Sequence, residues 1–127
     1  LKAAVSLAQV ARGHSQEMAS LNYFSHESPL PANQTAEDRL NNAGLGYTVS
    51  AENIAQEPII RGFWSDGRVD RYTWGEVARN TIRHWFSSIG HRRNLLRRDV
   101  EEIGIGASLQ FQGRLQYVLI TQTFRAP

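Results

Sequence analysis

Ile103-Gly-Ile-Gly-Ala-Ser-Leu-Gln-Phe111 and Leu115-Gln-Tyr-Val-Leu-Ile-Thr-Gln-Thr-Phe124 decide the fold. In the first stretch Ile103, Ile105, Ala107, Leu109 and Phe111 alternate, which reads as a strand with one apolar face. In the second, Leu115, Tyr117, Leu119, Thr121 and Thr123 share one face, and Val118, Ile120, Gln122 and Phe124 share the other. A strand apolar on both faces belongs inside a sheet covered on both sides. Gln112-Gly113 between them resembles a favoured hairpin turn.

Upstream, the pattern predicts a helix over 2–20, where Val5, Ala8, Ala11 and Met18/Ala19 recur at helical spacing. A short helix over 35–43 follows, with Thr35 as N-cap, Asp38 as its capping-box partner and Gly44 just past its end. Residues 47–55 alternate as a strand. Residues 76–88 form a further helix, with Val77/Ala78, Ile82 and Trp85/Phe86 on one face and Gly90 ending it; a short helical turn then carries His91 and Asn94. The segment 56–75, with Pro58, Gly62, Gly67 and Gly75, reads as a long irregular loop. Helices on both sides of a small antiparallel sheet of 47–55, 102–111 and 114–124 make an α+β, three-layer α-β-α sandwich.

The length of 127 residues fits one domain, spanning 1–127. The chain opens on Leu1-Lys-Ala-Ala-Val, helix-like from its first residue, so an upstream part with an export signal is expected to be missing. It contains no cysteine, which excludes disulfides and thiolate chemistry. No apolar run approaches the ~20 residues of a membrane helix. The net charge is only +2, yet residues 61–98 carry nine arginines against Asp66, Asp70 and Glu76. Such a run suits an anionic partner such as a lipid headgroup or a wall polymer, although a solvated face is the commoner explanation. No nucleic-acid motif accompanies it, so no nucleic acid is expected.

The chemistry concentrates in three segments: His26 in Asn22-Tyr-Phe-Ser-His26, Glu52 in Ala51-Glu-Asn-Ile-Ala55, and His91 in Trp85-Phe-Ser-Ser-Ile-Gly-His91-Arg-Arg-Asn94. Two imidazoles and a carboxylate in one cleft can hold a divalent ion or move a proton. The plainer alternative is a pair of hydrogen-bonded structural histidines. His14 and His84 read as helix-surface or packing residues. Asn53 and Gln122 read as partners for buried backbone and side chains. The aromatics Trp64, Tyr72 and Trp74 form a binding lip if exposed, or pin their loop if buried.

These segments, with Ile103-Gly-Ile-Gly106 and Thr121-Gln-Thr-Phe124, occur in order along nearly the whole chain. They resemble the CAP superfamily, or SCP domain, of cysteine-rich secretory, antigen 5 and pathogenesis-related proteins, and most of all its short cysteine-free bacterial branch. The resemblance implies the α-β-α sandwich and a cleft of two His and two Glu able to bind zinc or another divalent metal. His26, Glu52 and His91 match three of these. Ser88 stands where many members carry the second Glu, so metal binding is expected to be weaker here. The resemblance also implies a secreted or periplasmic protein that binds lipid, cell-wall polymer or protein. Independently of it, the aromatic and arginine clustering of 61–98 makes Trp64, Tyr72 and Trp74, with Ser88 beside the histidines, candidate ligand contacts of an expected monomer. No Gly-x-Ser-x-Gly, His-Glu-x-x-His or phosphate-binding loop is present. Binding is therefore expected over catalysis; the alternative is a metal-dependent hydrolase using His26, His91 and a water, with Glu52 as base.

Overall fold

A computed structural model describes residues 1–127. Its elements are β1 (Lys2–Ala3), α1 (Val5–Leu21), a 3-10 turn (Pro31–Asn33), α2 (Ala36–Asn42), β2 (Val49–Pro58), β3 (Ile60–Phe63), β4 (Val69–Arg71), α3 (Trp74–Ser87), α4 (Ile89–Leu95), β5 (Glu102–Gln112) and β6 (Leu115–Ala126). The main sheet runs β1-β5-β6-β2, antiparallel except for the parallel β1–β5 pair. The doubly apolar strand β6 lies inside it, as its pattern requires, with α1 on one face and α3 and α4 on the other. The three-layer α+β architecture is thus present.

Several boundaries differ from the sequence reading. Lys2–Ala3 leave the first helix and pair with Glu102 and Ile103, because β5 would otherwise carry a bare edge. The segment 56–75 is mostly ordered: β2 extends to Pro58, and β3 pairs with β4 across a bulge at Ile60/Gly62. Bulged, glycine-broken pairing carries no clean alternation, which is why it reads as a loop. Gly90 does not end α3; Ser88 stands between α3 and α4, and Gly90 lies inside α4. The hairpin turn falls one residue later than expected, at Gly113-Arg114, with Gly113 at φ 61° as the first position of a II′ turn requires.

The face of β5 is the larger surprise. Its alternating apolar residues point away from α1, and Ile105, Leu109 and Phe111 are exposed. The buried side carries Gly104 and Gly106, on which α1 rests directly. A Cβ at Gly104 would lie 2.2 Å from the Ala8 nitrogen, and one at Gly106 would lie 2.1 Å from the Arg12 nitrogen. Here absence of a side chain, rather than apolarity, marks the inward face. α1 then buries Leu7, Ala11 and Met18 completely, with Met18 packed on Ile54 and Leu119. Ser15 adds a buried hydrogen bond to the Gly106 carbonyl.

On the second face α3 sits toward β2. Val77 packs with Ile59 and Val118, and Trp85 donates its indole N–H to the Ile54 carbonyl. A capping box of Thr73 and Glu76 starts α3; the box of Thr35 and Asp38 starts α2 as expected.

Candidate functional site

Asn22, at φ 54°, closes α1 in the left-handed conformation and turns the chain back toward it. The returning segment is tied down at Ser25, whose carbonyl accepts from His14 Nε2 at 2.9 Å. His26 then meets Glu52 of β2: His26 Nδ1 lies 2.9 Å from Glu52 Oε1. The other carboxylate oxygen, Oε2, accepts from Arg39 of α2 at 2.8 Å. Arg39 also donates to the carbonyls of His26 and Asn33, so one guanidinium joins α2, the His26 segment and β2. His26, Glu52, Thr35 and Ala51 border a cavity of about 270 Å³. Behind the Arg39–Glu52 pair, a polar cavity of about 360 Å³ opens between α1 and α2, bordered by His14, Glu17, Asn33 and Arg39.

The charges in this cleft are committed. Burial pushes the Glu52 carboxyl up, but the His26 hydrogen bond and the Arg39 charge outweigh it and hold the group below its ordinary range. Since an ionised carboxylate only accepts, His26 carries its proton on Nδ1, and Nε2 is the nitrogen left free in the neutral ring. His14 is buried, with Nε2 4.0 Å from Glu52 Oε1. Burial lowers its pKa despite the nearby carboxylate, so it is neutral at pH 7. Glu17 accepts from Ser28, Tyr23 and Asn33. The hydrogen bond from Tyr23 adds to burial in raising the Tyr23 hydroxyl to about 12.

His91 arrives from the other side of β2 on α4. Asn53 donates to the His91 carbonyl and to Gln122, and it accepts from Asn94, which also donates to the Glu52 carbonyl. The role read for Asn53 and Gln122 is thereby seen directly. The His91 Nδ1 is buried without a partner. Burial lowers the His91 pKa, and repulsion from His26 lowers it further, so the two imidazoles share a field.

No three His, Asp or Glu side chains converge to hold a metal. His26 and Glu52 border the cavity of about 270 Å³ and His91 does not. Glu52 behind His26 orients the ring and leaves its Nε2 free.

The remaining candidate residues are dispersed. Trp64 is exposed beside the β3–β4 turn under Arg68, and Tyr72 packs against the Ile59–Val77–Val118 cluster with Arg61 over its ring. Ser88 makes no capping hydrogen bond at the α3–α4 junction. Trp74, 63% exposed, lines a groove of about 410 Å³ with Val77, Ala78, Ala107, Leu109 and Ile120. Its lining is almost wholly apolar. It exists because α3 covers β2 and β6 and leaves β5 bare.

Sequence reasoning missed Arg39 and this groove; His14, read as a helix-surface or packing residue, is the packing residue of the two alternatives, buried and bonded to the Ser25 carbonyl. A lone Arg beside Leu40 on a seven-residue helix carries no motif. The place of His14 on the Leu7–Ala11–Met18 stripe is the signal that separates its two alternatives.

Residues 1–124 match the family model of the cysteine-rich secretory protein family, CAP. Among solved structures, the chain is similar to an extracellular protein containing an SCP domain from Bacillus anthracis (TM-score 0.67, 31% identity, all of this chain and 34% of that one). It also shares its fold with an outer surface protein from Borrelia burgdorferi (TM-score 0.64, 14% identity, 99% and 78%). Among curated proteins, the uncharacterized membrane protein YlbC of Bacillus subtilis is 32% identical over 82% of this chain and 25% of its own length. The uncharacterized protein YkwD of the same organism is 29% identical over 80% and 32%. The chain thus spans about a quarter to a third of these curated relatives.

Proposed function

From a chain that belongs to the CAP family of cysteine-rich secretory proteins, we propose an exported, non-enzymatic binding domain whose groove between α3 and β5 receives a lipid-like ligand. The groove itself carries this reading. It is concave and apolar, its floor includes the buried Val77 and Val118, and it leaves Trp74 and Leu109 exposed at its edge. Of the three ligand classes expected, lipid, wall polymer and protein, an acyl or polycyclic hydrocarbon fits an apolar lining best. Export is supported by the extracellular Bacillus anthracis protein and the Borrelia outer surface protein. No helix is long and apolar enough to cross a membrane.

The polar cleft serves this reading as scaffold. A general base needs a carboxylate free to take a proton near neutral pH. Both Glu52 oxygens are instead engaged by Arg39 and His26, which hold the carboxyl below its ordinary range and make it a weak proton acceptor. The hydrolase alternative has the weaker support for that reason. A weak zinc site at His26 and His91 remains part of the proposal, motivated by the free Nε2 of His26. Calorimetric zinc titration of wild type and His26→Ala tests it: micromolar or weaker saturable binding lost in the variant supports it, and unchanged binding removes it.

Titration with an environment-sensitive polyene fatty acid tests the groove. Saturable fluorescence enhancement, abolished in Ala107→Glu and retained in His26→Ala, is expected. Enhancement that survives Ala107→Glu contradicts the proposal.

A further inference from the structure

The helix pair α3–α4 presents a second surface of different chemistry. Residues 77–98 contain six arginines, at 79, 83, 92, 93, 97 and 98, and no Asp or Glu. Arg97 is paired with Asp99. No carboxylate lies within 4.0 Å of Arg79, Arg83, Arg92, Arg93 or Arg98. Elsewhere Arg39, Arg61, Arg68 and Arg125 have acidic partners, while Arg71 donates to Gln116 and Arg114 lies over Phe63, so unpaired arginines cluster on α3–α4 without being confined to it.

The geometry of α4 orders this charge. Ile89, Arg92, Arg93 and Leu96 recur at i, i+3, i+4 and i+7 and so share one face. All four are exposed, Ile89 by 65% and Leu96 by 62%. With Arg97 they border a shallow depression of about 440 Å³. Arg92 donates to the Phe86 carbonyl, which anchors the base of the patch to the end of α3, where Phe86 is itself exposed. The inner side of the α4 segment is fixed by Asn94 and the His91 carbonyl, so in the outer stripe only Arg92 makes a hydrogen bond within the protein.

From this juxtaposition of unpaired arginines and exposed aliphatic side chains on one helix face, we propose that α4, with the end of α3, docks the protein onto an anionic lipid bilayer surface. Arginine guanidinium groups meet headgroup phosphates at the level where Ile89, Leu96 and Phe86 enter the acyl boundary. The aliphatic residues favour a bilayer over a soluble polyanion, which supplies charge and no apolar phase. The proposal goes beyond the groove reading, uses different residues, and stands or falls separately.

Co-sedimentation with vesicles tests it. The full protein is expected to bind vesicles of about 30% phosphatidylglycerol in phosphatidylcholine and not pure phosphatidylcholine, and raised salt is expected to weaken binding. Arg92→Gln/Arg93→Gln should lower the partition coefficient roughly 30-fold. Ile89→Ser/Leu96→Ser should lower it roughly 10-fold or more. Circular dichroism should be unchanged in both, because the four side chains are exposed, and the groove variant Ala107→Glu should bind vesicles like wild type. Equal binding to both vesicle types, no binding to either, or full binding by the Ile89/Leu96 variant overturns the proposal. The last result, with inorganic polyphosphate competing at equal charge, would assign the patch to a soluble polyanion.

Discussion

The polar cleft and the apolar groove lie on the same sheet and divide its resources in opposite ways. In the cleft, Glu52 is held by Arg39 and His26, Arg39 also donates to the His26 carbonyl, and His14 holds the Ser25 carbonyl. In the groove, Trp74 and Leu109 face solvent although the core has use for such side chains. On the reading proposed above, the polar residues of the cleft act mainly to join elements, and the exposed apolar groove is the site of interaction. The difference arises from the seating of the helices: α1 sits on the sheet backbone through two glycines, while α3 lies over β2 and leaves β5 uncovered.

The largest effect should come from the seat of α1. Gly106→Val places atoms within the Arg12 backbone and should cost upwards of about 3 kcal/mol. Ala107→Val, one residue on and facing the groove, should change stability by less than about 0.5 kcal/mol. Urea unfolding of the pair tests the assignment of faces; equal effects would break it.

Next comes the cleft. Arg39→Ala leaves the buried Glu52 carboxylate without its guanidinium and should destabilise by about 3–5 kcal/mol. Trp74→Ala should stay within about 1 kcal/mol of wild type, because its side chain is mostly exposed. A milder Arg39→Ala would mean that water or His14 takes over the charge.

The pH dependence has a definite sign. The folded-state pKa of His14 lies below its ordinary 6.5, so the unfolded chain binds the proton more readily. This stability is complete above pH 6.5 and is lost as pH falls through the folded value. His91 adds a contribution of the same sign. Glu52, depressed from 4.5, adds a second loss at lower pH. Unfolding free energies measured from about pH 8 down to about pH 5 should therefore decline, and His14→Gln should flatten part of the slope. A wild-type slope of opposite sign would mean that His14 is charged in the folded protein.

The sequence made some of this legible and hid the rest for identifiable reasons. β6 shows its interior position because both its faces are apolar, and α2 shows its start because Thr35 and Asp38 form a local capping box. His26, Glu52 and His91 stand out because histidines are few, four in the chain, and because the three sit in segments that resemble family motifs. The orientation of β5 was misleading: apolar alternation predicts the inward face, but Gly104 and Gly106 define it through close helix approach. Arg39 stayed hidden because its role depends on three segments that only the fold unites. The groove stayed hidden because it is a gap between elements, and no residue pattern encodes a gap.

The most direct test of the contrast is a heteronuclear NMR titration of the ¹⁵N-labelled protein with a medium-chain fatty acid, read residue by residue. The groove account predicts saturable shifts at Trp74, Ala78, Ala107, Leu109 and Ile120, with His26, Glu52 and His91 unmoved. Shifts centred on His26, Glu52 and His91, with the groove silent, would contradict it and return the ligand site to the polar cleft.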